Sequence, residues 1–295
     1  PDHFGTTGTN NDNMTTAPVI LGPGDVFLNA DFGYKPNQGV ILGTIGDTVW
    51  FDANASGTAT IDTGEYGIPG VTVALIRDTN GNGAWDAGEP IIATDTTDAN
   101  GNYLFTGLSL SDNGDGNPAD ADYVVWVNDT DAVLTGLSQT YDQDSPLDNR
   151  SATALSAGTP SDLAQDFSYT AAGQTPTTGL IGDTVWFDLD GLGGATQQAG
   201  EPGVEGVVME LLDSGGNVLA TTTTDENGRY YFGGLPVSAG GIQYRVRVAA
   251  SNFAAGGVLQ GLAETYAAGG AVGGNQGNLV SLTTAAPINL AQDFS

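Results

Sequence analysis

The residues best suited to chemistry are oxygen donors spaced along one tight stretch, Asp78-Thr79-Asn80-Gly81-Asn82-Gly83-Ala84-Trp85-Asp86-Ala87-Gly88-Glu89. Side-chain oxygens fall at its first, third, fifth, ninth and twelfth places, and glycine holds the sixth. That is the ligand order of a loop that wraps calcium. Asp78, Asn80 and Asn82 alternate on a tightly wound turn, so three oxygens converge. Gly83 takes the bend where a Cβ would clash. Ala84 lends a main-chain carbonyl, Asp86 binds directly or through water, and Glu89 closes the shell with both oxygens. Many flexible oxygens suit calcium better than the strict octahedron of magnesium. The competing reading is a solvated Asn/Gly turn.

The flanks decide what such a loop can do. Val71 to Arg77 before it and Pro90 to Thr94 after it are short, β-branched and strand-like. The loop is therefore expected to close a β-hairpin. A calcium sensor needs helices that swing open, whereas an ion clamped between strands stiffens.

Thirty-five acidic residues face six basic ones, for a net charge of -29 over 295 residues. Such a polyanion does not bind nucleic acid through phosphates, nor an anionic membrane surface. It repels itself when compact unless cations offset the charge. Cysteine is absent, which removes any disulfide framework. No apolar run is long enough to span a bilayer. A hydrophobic content of 39% with 45 glycines fits an all-β protein with many turns.

Self-similarity gives the organisation. Ile45-Gly46-Asp47-Thr48-Val49-Trp50-Phe51-Asp52 returns as Ile181 to Asp188, and Thr97 to Phe105 returns as Thr224 to Phe232. Leu163-Ala164-Gln165-Asp166-Phe167-Ser168 returns as Leu290 to Ser295. Two full modules are expected, at 36–170 and 180–295, with a Thr/Ala/Gly/Pro-rich linker at 171–179. About seven short strands per module suggest a tandem Ig-like, Greek-key β-sandwich arranged as a rod. Asn100-Gly101 and Asn227-Gly228 read as hairpin turns. Trp50, Trp186 and Trp126 read as core residues. Residues 1–35 echo the last two strands of a module, either the tail of a preceding one or a segment that completes a neighbouring chain by strand exchange through residues 1–34.

These motifs, with Gly67-Ile68-Pro69-Gly70-Val71 and a closing Asp-Phe-x-Tyr, resemble the SdrD B-like modules of serine-aspartate-repeat adhesins, relatives of collagen-adhesin B-type domains. The resemblance covers nearly the whole chain. It implies extracellular, calcium-binding sandwiches strung head to tail with copies of themselves as stalk, spacer or filament. It also implies a calcium loop after the first strand. Here the matching residues are Asp52, Asn54, Ser56, Asp62 and Glu65 in the first module. In the second they are Asp188, Asp190 and Glu201, with Gln198 where Asp62 would stand, which makes this the weaker site. The Asp78–Glu89 loop has no partner there, since Asp213 to Asn217 is only a short turn. Lys35 is the sole lysine and falls in a linker, so the Lys–Asn isopeptide bond of related domains is not expected.

Two further acidic groups, Asp112, Asp115, Asp120 and Asp122, and Asp142, Asp144 and Asp148, read equally as ion sites or solvated loops. Catalysis lacks its usual groups: His3 is the only histidine and no thiol exists. Sequons at Asn13, Asn54, Asn128 and Asn149 allow glycosylation. The leading expectation is a non-enzymatic, calcium-stiffened stalk or filament subunit outside the cell. The alternative is an adhesin whose module face binds a host protein or glycan, marked by an exposed aromatic patch or apolar groove, for which the sequence offers no clear candidate beyond Trp85 and Trp126.

Overall fold

The structure, a computed structural model, describes residues 41–110, 121–144 and 146–295. By contacts the chain falls into two units, Pro1–Leu42 and Gly43–Ser295. The partial module and the strand exchange expected of residues 1–35 lie outside the described residues, as do Asn13, Asp112, Asp115 and Asp120.

Within the second unit the repeat becomes two β-sandwiches. The first comprises β1 (Gly43–Phe51), β2 (Tyr66–Gly67), β3 (Thr72–Arg77), β4 (Ile91–Thr96), β5 (Asn102–Leu108), β6 (Tyr123–Val127), β7 (Leu137–Tyr141), β8 (Arg150–Thr153), β9 (Ser161–Asp162) and β10 (Phe167–Ala171). One sheet runs β4-β3-β6-β8. The other is built around β1, which changes partners along its length. Gly43 to Thr48 pair with β5 and β9, and Val49 to Phe51 pair with β10 and β2. Asp47, at φ 149°, sits where the change occurs.

The second sandwich repeats the plan with β11 (Gly179–Thr184), β12 (Val208–Asp213), β13 (Val218–Thr223), β14 (Arg229–Leu235), β15 (Ile242–Val248), β16 (Val280–Leu282) and β17 (Ile288–Leu290). Its sheets are β14-β11-β17 and β13-β12-β15-β16. Single bridges Val185–Phe294 and Trp186–Gly203 stand where the first sandwich has β10 and β2. Among the described residues one 3-10 turn, Ala250–Phe253, is the sole helical element. The architecture is all-β and Ig-like, as the strand pattern implies.

Alternation places the cores. Val73 and Leu75 of β3, and Tyr123, Val125 and Val127 of β6, meet Ile45, Val49 and Phe51 of β1 between the sheets. Trp50 and Trp186 are buried as expected, each against a tyrosine, Tyr141 and Tyr266. Trp126 differs. Its ring lies on the outer face of β6, stacked on Trp85 at 5.9 Å. Val124-Val125-Trp126-Val127 holds no polar residue, so the alternation could not tell the two faces apart. The Asn-Gly turns also differ from hairpins: the chain passes there from β4, paired to β3, to β5, paired to β1. Gly101, at φ 80°, is required by proximity as well, because a Cβ would lie 2.3 Å from the Val49 carbonyl oxygen.

The two sandwiches share apolar surface. Leu180 belongs to the core cluster of the first, and Tyr231, Ile288 and Leu290 pack against that cluster. Phe51 stacks on Tyr231 at 4.3 Å and on Tyr66 at 5.4 Å. The hydroxyls of Tyr66 and Tyr231 are hydrogen-bonded, and the Arg229 guanidinium lies 4.6 Å from the Tyr66 ring centre. Between β10 and β11, the buried Gln174 side chain donates to the carbonyls of Thr175 and Thr178 and accepts the Gly234 N–H at 3.1 Å. Gly234, at φ 69°, has room for no side chain, since a Cβ would lie 2.7 Å from the Gly173 carbonyl oxygen.

Candidate metal centres

The Asp78–Glu89 loop does close a hairpin, joining β3 to its antiparallel partner β4. Asp78 is fully buried and organises the turn: its carboxylate accepts N–H bonds from Asn80 (3.2 Å), Gly81 (2.7 Å) and Gly83 (2.7 Å). The amides of Asn80 and Asn82 both donate to Asp86 Oδ2, at 2.8 and 2.7 Å. Glu89 folds back across the loop and accepts the N–H groups of Thr79 and Asp86. Asp86 is held below its ordinary pKa by the two asparagine amides. Glu89 is held below its own: partial burial opposes this, but the N–H groups of Asp86 and Thr79 outweigh it. Both are therefore carboxylates at neutral pH. Asp78, Asn80, Asn82, Asp86 and Glu89 thus share one hydrogen-bonded loop that also contains Ala84.

The loop after β1 has the same construction. Asp52, fully buried, accepts from Ser56 and Gly57, Asn54 donates to Asp62 at 2.9 Å, and Glu65 accepts the Asp62 N–H. Burial, and the neighbouring Asp52 carboxylate, raise the Glu65 pKa. Glu65 Oε1 is buried without a hydrogen-bond partner. Two neighbouring carboxyl groups of this kind are reconciled either by a shared proton or by a cation.

In the second sandwich Asp188 accepts from Gly191 and Gly193, Asp190 from Leu192, and Glu201 from Leu189 and Gln198. One oxygen from each of Asp188, Asp190 and Glu201 lies within 4.8 Å of the others. Asp188 is held down to about 2, chiefly by the Thr265 hydroxyl and then by the glycine N–H groups. The sequence marked this site as the weaker, because Gln198 replaces an acid. Gln198 in fact donates to Asp190 and leaves three carboxylates converging. Asp213 to Asn217 is the short turn expected.

Asp142, Asp144 and Asp148 share one loop. Asp142 is 3% exposed, takes the Gln139 amide on Oδ2, and leaves Oδ1 without a partner. Burial, then the Asp144 charge, push Asp142 up to about 6. Asp148 is paired with Arg150. Arg150 lies over the Trp85 and Trp126 rings at 5.6 and 5.1 Å, tying this loop to the Asp78–Glu89 loop. Asp122 is buried beside Asp78, whose N–H it accepts on its carbonyl. Among the sequons, Asn54 is bonded to Asp62, Asn128 Oδ1 is buried, and Asn149 accepts the Tyr169 hydroxyl. That bond uses Oδ1 and leaves free Nδ2, the atom a glycan would join, so it does not bar modification of Asn149. An intact-mass measurement with site mapping tests that modification.

A second acidic feature escaped the sequence reading. Asp47 and Asp166, and at the repeat Asp183 and Asp293, draw together where β1 and β11 change partners. Thr48 and Thr184 donate their N–H groups to Asp166 and Asp293. Burial, then the facing aspartate, push Asp166 up to about 6 and Asp293 up to about 7, and burial pushes Asp183 up to about 6. These groups hold protons in the fold that the unfolded chain releases near pH 4. Their stabilisation is complete below that pH and is lost as pH rises through about 6 to 7. With chelator present, the melting temperature of the second sandwich should therefore fall between pH 5.5 and 8. Asp293→Asn should flatten that dependence, as a pH series of thermal melts would reveal. The signal was present in the sequence as the repeated Gly-Asp and Gln-Asp-Phe pairs.

A family model, the SdrD B-like domain, matches residues 43–171 and 179–289. The chain is 37% identical over 205 residues to serine-aspartate repeat-containing protein F of Staphylococcus epidermidis, covering 68% of this chain and 10% of that protein. It is 35% identical over 226 residues to serine-aspartate repeat-containing protein D of Staphylococcus aureus, covering 76% and 15% respectively. It thus spans a small fraction of the relatives' length. Among solved structures, the shaft pilin SpaA of Lactobacillus rhamnosus GG aligns over 85% of this chain and 95% of its own at 12% identity, with a TM-score of 0.26. A streptococcal ancillary pilin aligns over 86% and 62% at 11% identity and 0.27, and scores so low carry no argument. The two matches in tandem are decisive: the chain belongs to the SdrD B-like domain family of extracellular, cell-surface repeat proteins.

Proposed function

We propose that this chain is a non-catalytic, calcium-stiffened segment of a surface stalk or filament, arrayed head to tail with modules of its own kind. The observation that carries the reading is the convergence of Asp188, Asp190 and Glu201 within 4.8 Å in a chain of net charge -29. Three carboxylates so close repel one another unless a cation joins them. Calcium fits the donors, which are carboxylate, amide and carbonyl oxygens on flexible loops. Asp188, Asp190 and Glu201 hold it in the second sandwich, and Asp52, Asn54, Asp62 and Glu65 in the first. Asp78, Asn80, Asn82, Ala84, Asp86 and Glu89 form a further site once the asparagine amides turn their oxygens inward. Asp142, Asp144 and Asp148 form another around the partnerless Asp142 oxygen. The bound ion supplies charge neutralisation and cross-links each loop.

Native mass spectrometry tests the assignment by counting ions. Asp78→Ala should lose one calcium from the first sandwich, and Glu201→Gln one from the second, each leaving the other count intact. Wild-type protein that takes up no calcium at millimolar concentration would end the proposal. One observation favours the adhesin alternative: Trp85 is 42% exposed and forms an aromatic patch with Trp126 and Arg150. On that reading Trp85→Ala abolishes binding to a glycan array; on the stalk reading the wild type shows none to lose.

A further inference from the structure

β13 is the outermost strand of its sheet, whose order is β13-β12-β15-β16. Among the described residues it pairs with β12 alone. Thr224, just past its end, donates its N–H to the Val207 carbonyl. Alternation along an antiparallel strand then aims the N–H and C=O of Thr222 at β12 and those of Thr221 outward. The side chains are open as well: every residue from Val218 to Thr221 is exposed, Val218 at 47% and Leu219 at 53%. A free edge of this kind is a template for another strand.

The repeat shows the same edge guarded. β4 takes this place in the first sandwich, and the match of Thr97 with Thr224 sets Asp95 against Thr222. The Asp95 carboxylate accepts the Leu104 N–H of β5 at 2.9 Å, so a charge stands on that edge. Val218-Leu219-Ala220-Thr221-Thr222-Thr223 holds neither a charge nor a proline, the two devices that keep edges apart. The sheet it borders is neutral too: over the four strands, Glu210 and Asp213 are matched by Arg245 and Arg247. In a chain of net charge -29, a second copy can approach here without setting acid against acid.

We infer that β13 is a self-pairing edge, which joins β13 of a second copy antiparallel across a two-fold axis near Thr221. Two four-stranded sheets then become one continuous sheet. Thr221 exchanges its N–H and C=O bonds with its own counterpart, and no other partner is needed to complete them. The interface is one strand wide, so the association is weak and reversible. On the stalk reading it joins neighbouring stalks side by side; the pairing itself rests only on the strand.

The test follows the whole chain by sedimentation equilibrium over a concentration series, in salt that screens the net charge, and by amide hydrogen exchange. Wild type should form a reversible dimer. Protection of the Thr221 amide should rise with concentration, while Thr222 is protected throughout. Thr221→Pro removes the outward N–H and leaves the β12 ladder intact, as prolines on edge strands do. Two hydrogen bonds are then lost per dimer, so the dissociation constant should rise about tenfold or more. Wild type that stays monomeric up to about 1 mM overturns the inference. So does a dimer that Thr221→Pro leaves at full strength, or one in which Thr221 gains no protection. Thr221 protection equal at every concentration overturns it as well, since the edge is then covered within one chain. The exchange measurement uses the wild type and decides the matter even where the proline variant fails to fold.

Discussion

Removing calcium with a chelator at pH 7.5 should lower the melting temperature by roughly 10 °C for each loop that loses its ion. An ion held at a hundred times its dissociation constant contributes about 2.7 kcal/mol, and 1 kcal/mol moves a domain of this size by about 4 °C. Asp52, Asp78 and Asp142 each head a candidate loop in the first sandwich, whereas only Asp188 does so in the second. The first sandwich should therefore fall further, and calorimetry should resolve two transitions where calcium gave them close together. Screening must be separated from binding. At 0.15 M salt exposed charges more than about 8 Å apart are largely screened, so the experiment is run in sodium chloride with and without calcium. If sodium restores the melt as well as calcium does, the loops act only through their charge. If neither chelator nor calcium moves it, the stiffening role is wrong.

What the sequence reveals here depends on how far apart the partners lie along it. The Asp78–Glu89 loop is legible because all its ligands fall in one turn and strand-like residues flank it. The hairpin therefore follows from neighbours alone. The repeat extends that reach, since Ile45 to Asp52 and Ile181 to Asp188 name the same strand twice. Partners far apart along the chain are missed, even where repetition marks each of them separately. Thr184 meets Asp293 across 109 residues, and Tyr66 meets Tyr231 across 165. Position 231 is Leu104 in the first module, so no repeated motif points to the contact. Residues 171–179 look like a loose linker from composition, yet Gln174 is buried within them and bonded to Gly234. At the Asp188 cluster the sequence shows Gln198 in place of an acid, and only the fold shows that its amide donates to Asp190.

The joint between the sandwiches gives the other large effect. Tyr231→Ala should uncouple them, removing the stack on Phe51 and the hydroxyl bond to Tyr66 at a cost of about 3 kcal/mol, as for other large aromatic truncations. Tyr231→Phe keeps the stack and should cost about 1 kcal/mol. The coupling is read as the separation between the two melting transitions and as the distribution of lengths in small-angle scattering. In calcium, wild type and Tyr231→Phe should keep their transitions close together and scatter as one length, and Tyr231→Ala should separate the transitions and broaden the lengths. Calcium should not rescue the alanine variant, because none of the candidate ligands lies among Phe51, Tyr66, Leu180 and Tyr231. This separates two sources of stiffness. On the proposed reading ions hold the loops of each sandwich, while the aromatic stack and the Gln174 turn join one sandwich to the next. A Tyr231→Ala variant whose transitions stay as close as those of wild type would place the coupling elsewhere. One that calcium makes whole would mean that the ions, and not the rings, set the angle of the joint.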